Sequence, residues 1–184
     1  EEWKKLSLSN YNLIKNLTKN EIYHCYKDKD GVKVFLDDYA YLAQLTINFY
    51  ETTGEINYLD DAKKIVQQTW DLFYDKENKI LQKNPINQND LFVPPLDIND
   101  GNIPNGNNVF LLNCKKLEAI TGDAKWQAMT KELIQSFHSF LNLKSTQMTS
   151  YIKNLDMCEE LTTFTFFGDI KKIKELQQFV KKNY

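Results

Sequence analysis

From residue 57 to 74 the apolar side chains Tyr58, Ala62, Ile65, Val66, Thr69 and Phe73 recur every three to four positions, with Asp60, Lys63, Lys64, Gln67 and Asp71 opposite. That spacing predicts an amphipathic helix with one wet face. Residues 123–143 repeat the pattern, setting Trp126, Met129, Leu133, Phe137 and Phe140 against Lys125, Lys131, Glu132 and Gln135. By contrast 36–53 is apolar nearly all round, with Leu36, Tyr39, Ala40, Leu42, Ala43, Leu45, Ile47 and Phe49, and 108–121 matches it through Val109, Phe110, Leu111, Leu112, Cys114 and Leu117. Helices apolar on most faces are buried, so each pair reads as an inner helix followed by an outer one.

The turns inside the two pairs correspond, Thr53-Gly54-Glu55 with Thr121-Gly122-Asp123, and place glycine where a helix C-cap needs a left-handed backbone. Two copies of one helical hairpin are predicted, separated by a stretch that holds all four prolines, Pro85, Pro94, Pro95 and Pro104. Around them, 6–17 reads as a helix and 22–26 with 32–35 as a small β-hairpin about Lys29-Asp30-Gly31. Residues 146–158 read as a short helix, 161–167 as a strand and 170–184 as a helix. The expected architecture is mainly α: a partial (α/α)6 toroid of helical hairpins over 1–160, with a small β element, and a C-terminal strand and helix over 161–184 packed on it.

Composition narrows the partners. Lys and Arg total 23 against 25 Asp and Glu, a formal charge of −2, which offers no general basic field for nucleic acid or an anionic membrane. No apolar run reaches the roughly 20 residues of a membrane span, and no signal-peptide core follows the N-terminus, so a cytoplasmic location is expected. Cys25, Cys114 and Cys158 lack CxxC spacing and read as reduced thiols; no metal-ligand spacing, phosphate loop or nucleophile elbow occurs, and no cofactor is expected.

Phe35-Leu36-Asp37-Asp38-Tyr39-Ala40, Phe49-Tyr50-Glu51-Thr52-Thr53-Gly54-Glu55, Leu72-Phe73-Tyr74-Asp75 and Asp100-Gly101-Asn102-Ile103-Pro104-Asn105-Gly106-Asn107-Asn108 occur in the order and spacing of a known family. The chain resembles the C-terminal half of the spermatogenesis-associated, thioredoxin-domain-containing proteins. The resemblance implies an (α/α)6 toroid similar to six-hairpin glycosidases and N-acylglucosamine 2-epimerases, and an N-terminal thioredoxin-like domain or further toroid segment as partner. Asn105 and Asn108 stand where the family pattern has serines.

Two functional classes follow. In the first, the starts of the two inner helices share one mouth of the ring, where Asp38 and Asp100 act as catalytic acid and base. Asp37, Tyr39, Asn105 and Asn107 then bind a carbohydrate for isomerisation or hydrolysis. In the second, the chain is a non-catalytic interaction module that packs on a thioredoxin-like domain, on the rest of a toroid or on itself, and the same residues are helix caps and loop locks. Neither histidine falls on an inner helix: His24 lies in the expected β-hairpin and His138 on an outer helix, so both read as surface or packing residues.

Overall fold

The computed structural model describes residues 2–17, 22–25, 34–87, 98–160, 162, 164, 166 and 168–183. Seven α-helices occur among them: α1 (Glu2–Leu17), α2 (Leu36–Thr53), α3 (Ile56–Phe73), α4 (Gly106–Thr121), α5 (Ala124–Lys144), α6 (Thr149–Glu160) and α7 (Ile170–Asn183). A single 3₁₀ turn, Ser145–Gln147, leads into α6, and two short strands, β1 (Tyr74–Asp75) and β2 (Ile80–Leu81), follow α3.

Both predicted helical hairpins are present. The α2–α3 turn closes on Gly54 at φ 74° and the α4–α5 turn on Gly122 at φ 68°, each N–H donating 2.8 Å back to the carbonyl four residues earlier. A side chain at either site would meet the left-handed penalty, so glycine ends both helices. α3 then folds back on α2 and α5 on α4, while α2 and α4 pack directly together.

The contacts of α2 and α4 run in the same order along both helices. Asp37 lies against Gly106, the Ala40 carbonyl accepts from the Asn113 amide at 2.8 Å, and Asn48 and Glu51 meet Lys116. The two inner helices are therefore parallel, as a hairpin repeat requires. The core between them and their covering helices includes Ala43, Ile47, Val66, Phe73, Phe110, Leu111, Leu117, Trp126, Leu133 and Phe137. Burial of a large apolar side chain contributes about 1.5–3 kcal/mol.

α1 seals the far end of the first hairpin. Its Tyr11 is buried 5.2 Å from Phe49 and 5.5 Å from Tyr58, and its hydroxyl donates 2.9 Å to Asp61, which also pairs with Lys15. Burial, with the Asp61 carboxylate beside it, pushes the Tyr11 phenol well above its ordinary range.

The β elements differ from expectation. Of the hairpin predicted over 22–35, residues 26–33 lie outside the described residues and 22–25 carry no strand. The pairing observed joins Tyr74 to Leu81 and Asp75 to Ile80, antiparallel. Its turn is built by Asp75, whose carboxylate accepts from the Glu77 and Asn78 N–H groups and the Asn78 and Gln82 amides, with Lys79 at φ 54°. Of the strand predicted over 161–167, residues 161, 163, 165 and 167 lie outside the described residues, and Thr162, Phe164 and Phe166 are in no strand.

Candidate functional site

The N-terminal ends of α2, α4 and α6 converge; of the polar residues singled out in the sequence, Asp100 and Asn105 bond to each other there and Asp37 lies against Gly106, whereas Asp38, Tyr39 and Asn107 take other partners. Asn105 is the N-cap of α4: its side-chain oxygen accepts from Asn108 N–H at 3.1 Å, which satisfies one of the unpaired donors of the first turn. Gly106 follows because α4 starts against the backbone of α2. A Cβ there would stand 2.6 Å from Asp37 Oδ1, 2.8 Å from Leu36 Cγ and 3.1 Å from Asp37 N.

Asp100 is the hub of this end. One oxygen accepts from Asn105 N–H at 3.1 Å, Asn105 Nδ2 at 3.3 Å, Asn108 Nδ2 at 3.1 Å and the Ser150 hydroxyl at 2.5 Å. The other accepts from Ser150 N–H at 2.7 Å and the Thr149 hydroxyl at 3.3 Å. Ser150 and Thr149 open α6, so the carboxylate sits at the positive end of that helix while anchoring the cap of α4. Burial alone would raise the Asp100 carboxyl, but the bonds from Ser150, Asn105 and Asn108 outweigh it and hold the group below the usual carboxylate range. Asn108 binds Ser150 as well, at 2.7 Å, and its carbonyl accepts from Asn154 Nδ2 at 2.7 Å.

Asn107 is fully buried and faces β2. Its amide nitrogen donates 2.8 Å to the Leu81 carbonyl and its oxygen accepts from Leu81 N–H at 3.2 Å, the two bonds a neighbouring strand would make. Next to it, Leu36 N–H, an unpaired donor of the first turn of α2, donates 2.9 Å to the Lys83 carbonyl. The β-hairpin thus ties the starts of both inner helices together. Tyr39 is buried 5.5 Å from the Phe73 ring, inside the α2–α3 hairpin.

Asp38 caps its own helix, accepting from Phe35 N–H at 2.9 Å. It also meets His24 Nδ1 at 2.9 and 3.1 Å, and the His24 ring sits edge-on to Phe35, centroids 4.9 Å apart. The side chain of His24 is 48% exposed and that of Asp38 is 19% exposed. The Tyr41 hydroxyl donates 2.8 Å to the Pro104 carbonyl, and burial together with the charges of Asp37 and Asp100 raises its phenol above the ordinary value.

The His24–Asp38 pair was not legible in the sequence, since 14 residues separate its members. Nor were the donors of α6 to Asp100, Thr149 and Ser150, which lie 49 and 50 positions from it. The one available signal was Thr149-Ser150 at a helix start, residues that favour helix ends and seek a partner for their N–H groups. Among the described residues no group of three or more His, Cys, Asp or Glu side chains is placed to hold a metal ion, and no helix is long and apolar enough to cross a membrane. Comparison with protein-family models and with curated proteins finds no match to this chain.

Proposed function

We propose that the chain is a non-catalytic helical-hairpin module of an (α/α) toroid similar to that of the thioredoxin-domain-containing family, and that its polar motifs lock helix starts rather than transform a substrate. The observation that carries this reading is the saturation of Asp100. A general acid or base needs a free oxygen within reach of a reacting proton, and both oxygens of Asp100 are occupied by donors from Asn105, Asn108, Thr149 and Ser150. Asn107 and Asn105 likewise spend their amides on Leu81, Asn108 and Ile98. Parallel inner helices, each covered by the helix that follows, support the toroid, and the contact of Gly106 with Leu36 and Asp37 gives the glycine of the resembling motif a packing reason.

As a module, the chain works by presenting surface to a thioredoxin-like domain, to further toroid hairpins or to a second copy. The test pairs binding with stability. Replacing Asp100 with Asn should lower the unfolding midpoint, and isothermal titration of the unmodified chain with a panel of monosaccharides should give no heat. Saturable binding of a sugar that Asp100→Asn abolishes without unfolding the chain would overturn the reading.

One observation favours a carbohydrate-isomerising site instead: His24 and Asp38 form a partly exposed imidazole–carboxylate pair beside Asp37 at the same end of the helices. In that reading Asp38 orients His24, and the imidazole, not Asp100, moves the proton. His24→Gln would then abolish a sugar-dependent activity that Asp100→Asn merely weakens through stability.

A further inference from the structure

We infer that α7 is a docking helix for a second copy of this chain, seated in the open groove along α6 of the partner. The inference deepens the module reading and rests on it. α7 is amphipathic, with Ile173, Leu176, Phe179 and Val180 within one half of its circumference, yet none of its described residues is buried. Leu176 and Phe179 remain 50% and 62% exposed. A 14-residue helix is marginal in water without a packed apolar face. Among the described residues α7 makes no extensive contact with α6, and its Gln177 lies instead near Gly54, at the other end of α2 from the convergent helix starts.

Among the described residues α6 lacks the cover the pattern of the fold supplies elsewhere. α3 lies over α2 and α5 over α4, whereas α6 packs on α4 and keeps an open groove of about 670 Å³ lined by Thr149, Ile152, Lys153, Leu155 and Asp156. Ile152 is 45% exposed in it. An amphipathic helix laid along such a groove is a recurrent recognition mode.

Charge selects the occupant. Five lysines and one glutamate give α7 a formal charge of +4, so the rest of the chain, at −2 overall, carries −6. A second copy therefore brings an acidic body to a basic helix, with Asp156 available to the lysines of α7 and Lys153 to Glu175. Reciprocal exchange of α7 buries two such grooves and closes the assembly as a symmetric dimer.

Sedimentation velocity of the full chain over a range of concentrations tests this. The expected mass moves from 21.7 kDa toward twice that value, and salt at roughly 1 M, where the Debye length is about 3 Å, weakens the association. Phe179→Glu and Ile152→Glu, both at exposed positions, should each raise the dissociation constant at least about tenfold with unchanged helicity. An equimolar mixture of the two variants should regain association, because one intact helix then faces one intact groove. A monomer at every concentration overturns the inference, as does a dimer indifferent to both substitutions. A chain that stays monomeric but binds anionic vesicles through Phe179 overturns it in favour of a lipid surface. None of these failures touches the saturation of Asp100, so the module reading is judged separately by its sugar and stability tests.

Discussion

A Cβ placed on Gly106 would stand 2.6 Å from the Asp37 carboxylate and 2.8 Å from Leu36 Cγ, so the first turns of α4 and α2 meet with no space for a side chain. Asp37 can swing its carboxylate aside, but Leu36 is buried and the Asp37 backbone nitrogen is fixed by its helix. Gly106→Ala should therefore destabilise the chain by about 1–3 kcal/mol as an overpacked contact, despite alanine's better helix propensity. Urea unfolding checks this: the midpoint should fall while the slope stays constant.

Asp100 offers a larger effect. Asp100→Ala removes the shared acceptor of Asn105, Asn108, Thr149 and Ser150 and leaves their donors facing one another. Hydrogen bonds to a charged group contribute about 1.5–3 kcal/mol each and are not additive, so a loss on the order of 3 kcal/mol is expected in urea unfolding. Asn, which keeps the shape and one acceptor, should lose less.

The same carboxylate imposes a pH dependence. Its folded pKa is lowered from the ordinary value, so its stabilisation is fully present above the unfolded value of about 3.9 and is lost as pH falls through the folded value. Asp75, lowered because its bonds from Asn78, Gln82 and Glu77 outweigh its burial, contributes in the same direction. Acid denaturation followed by circular dichroism should show a stability loss below about pH 4, and Asp100→Asn should flatten that limb.

Asn107→Ala leaves Leu81 N–H and C=O without their buried partners. The cost should be about 2–4 kcal/mol, each unpaired buried group costing about 1–3 kcal/mol less partial relaxation. Hydrogen exchange at the Leu81 amide should accelerate before that of the α4 core residues Phe110 and Leu111.

The legible parts of this fold are those decided locally. Apolar periodicity marked the four helices of the two hairpins, and Gly54 and Gly122 marked their turns, because each signal lies within one helix or one turn. The β1–β2 pair escaped notice because its strands are two residues long and its outer partner is the Asn107 side chain, 26 residues downstream. Asp37, Asp38, Asp100, Asn105 and Asn107 were recognisable as polar residues gathered near two helix starts. Their partners were not, since Ser150 reaches Asp100 across 50 positions and His24 reaches Asp38 from the described residues 22–25, which are in no helix or strand. Polar periodicity within a helix says nothing about which distant donor a carboxylate will take.

The most direct test of the lock is the titration of the Asp100 side-chain carboxyl by ¹³C NMR, with and without a panel of monosaccharides. A carboxylate consumed by the starts of α4 and α6 should titrate below the ordinary value of about 3.9, in step with the Ser150 amide shift, and no sugar should move it. A midpoint at or above that value, or one displaced by a sugar, would contradict the account and return Asp100 to the role of a catalytic group.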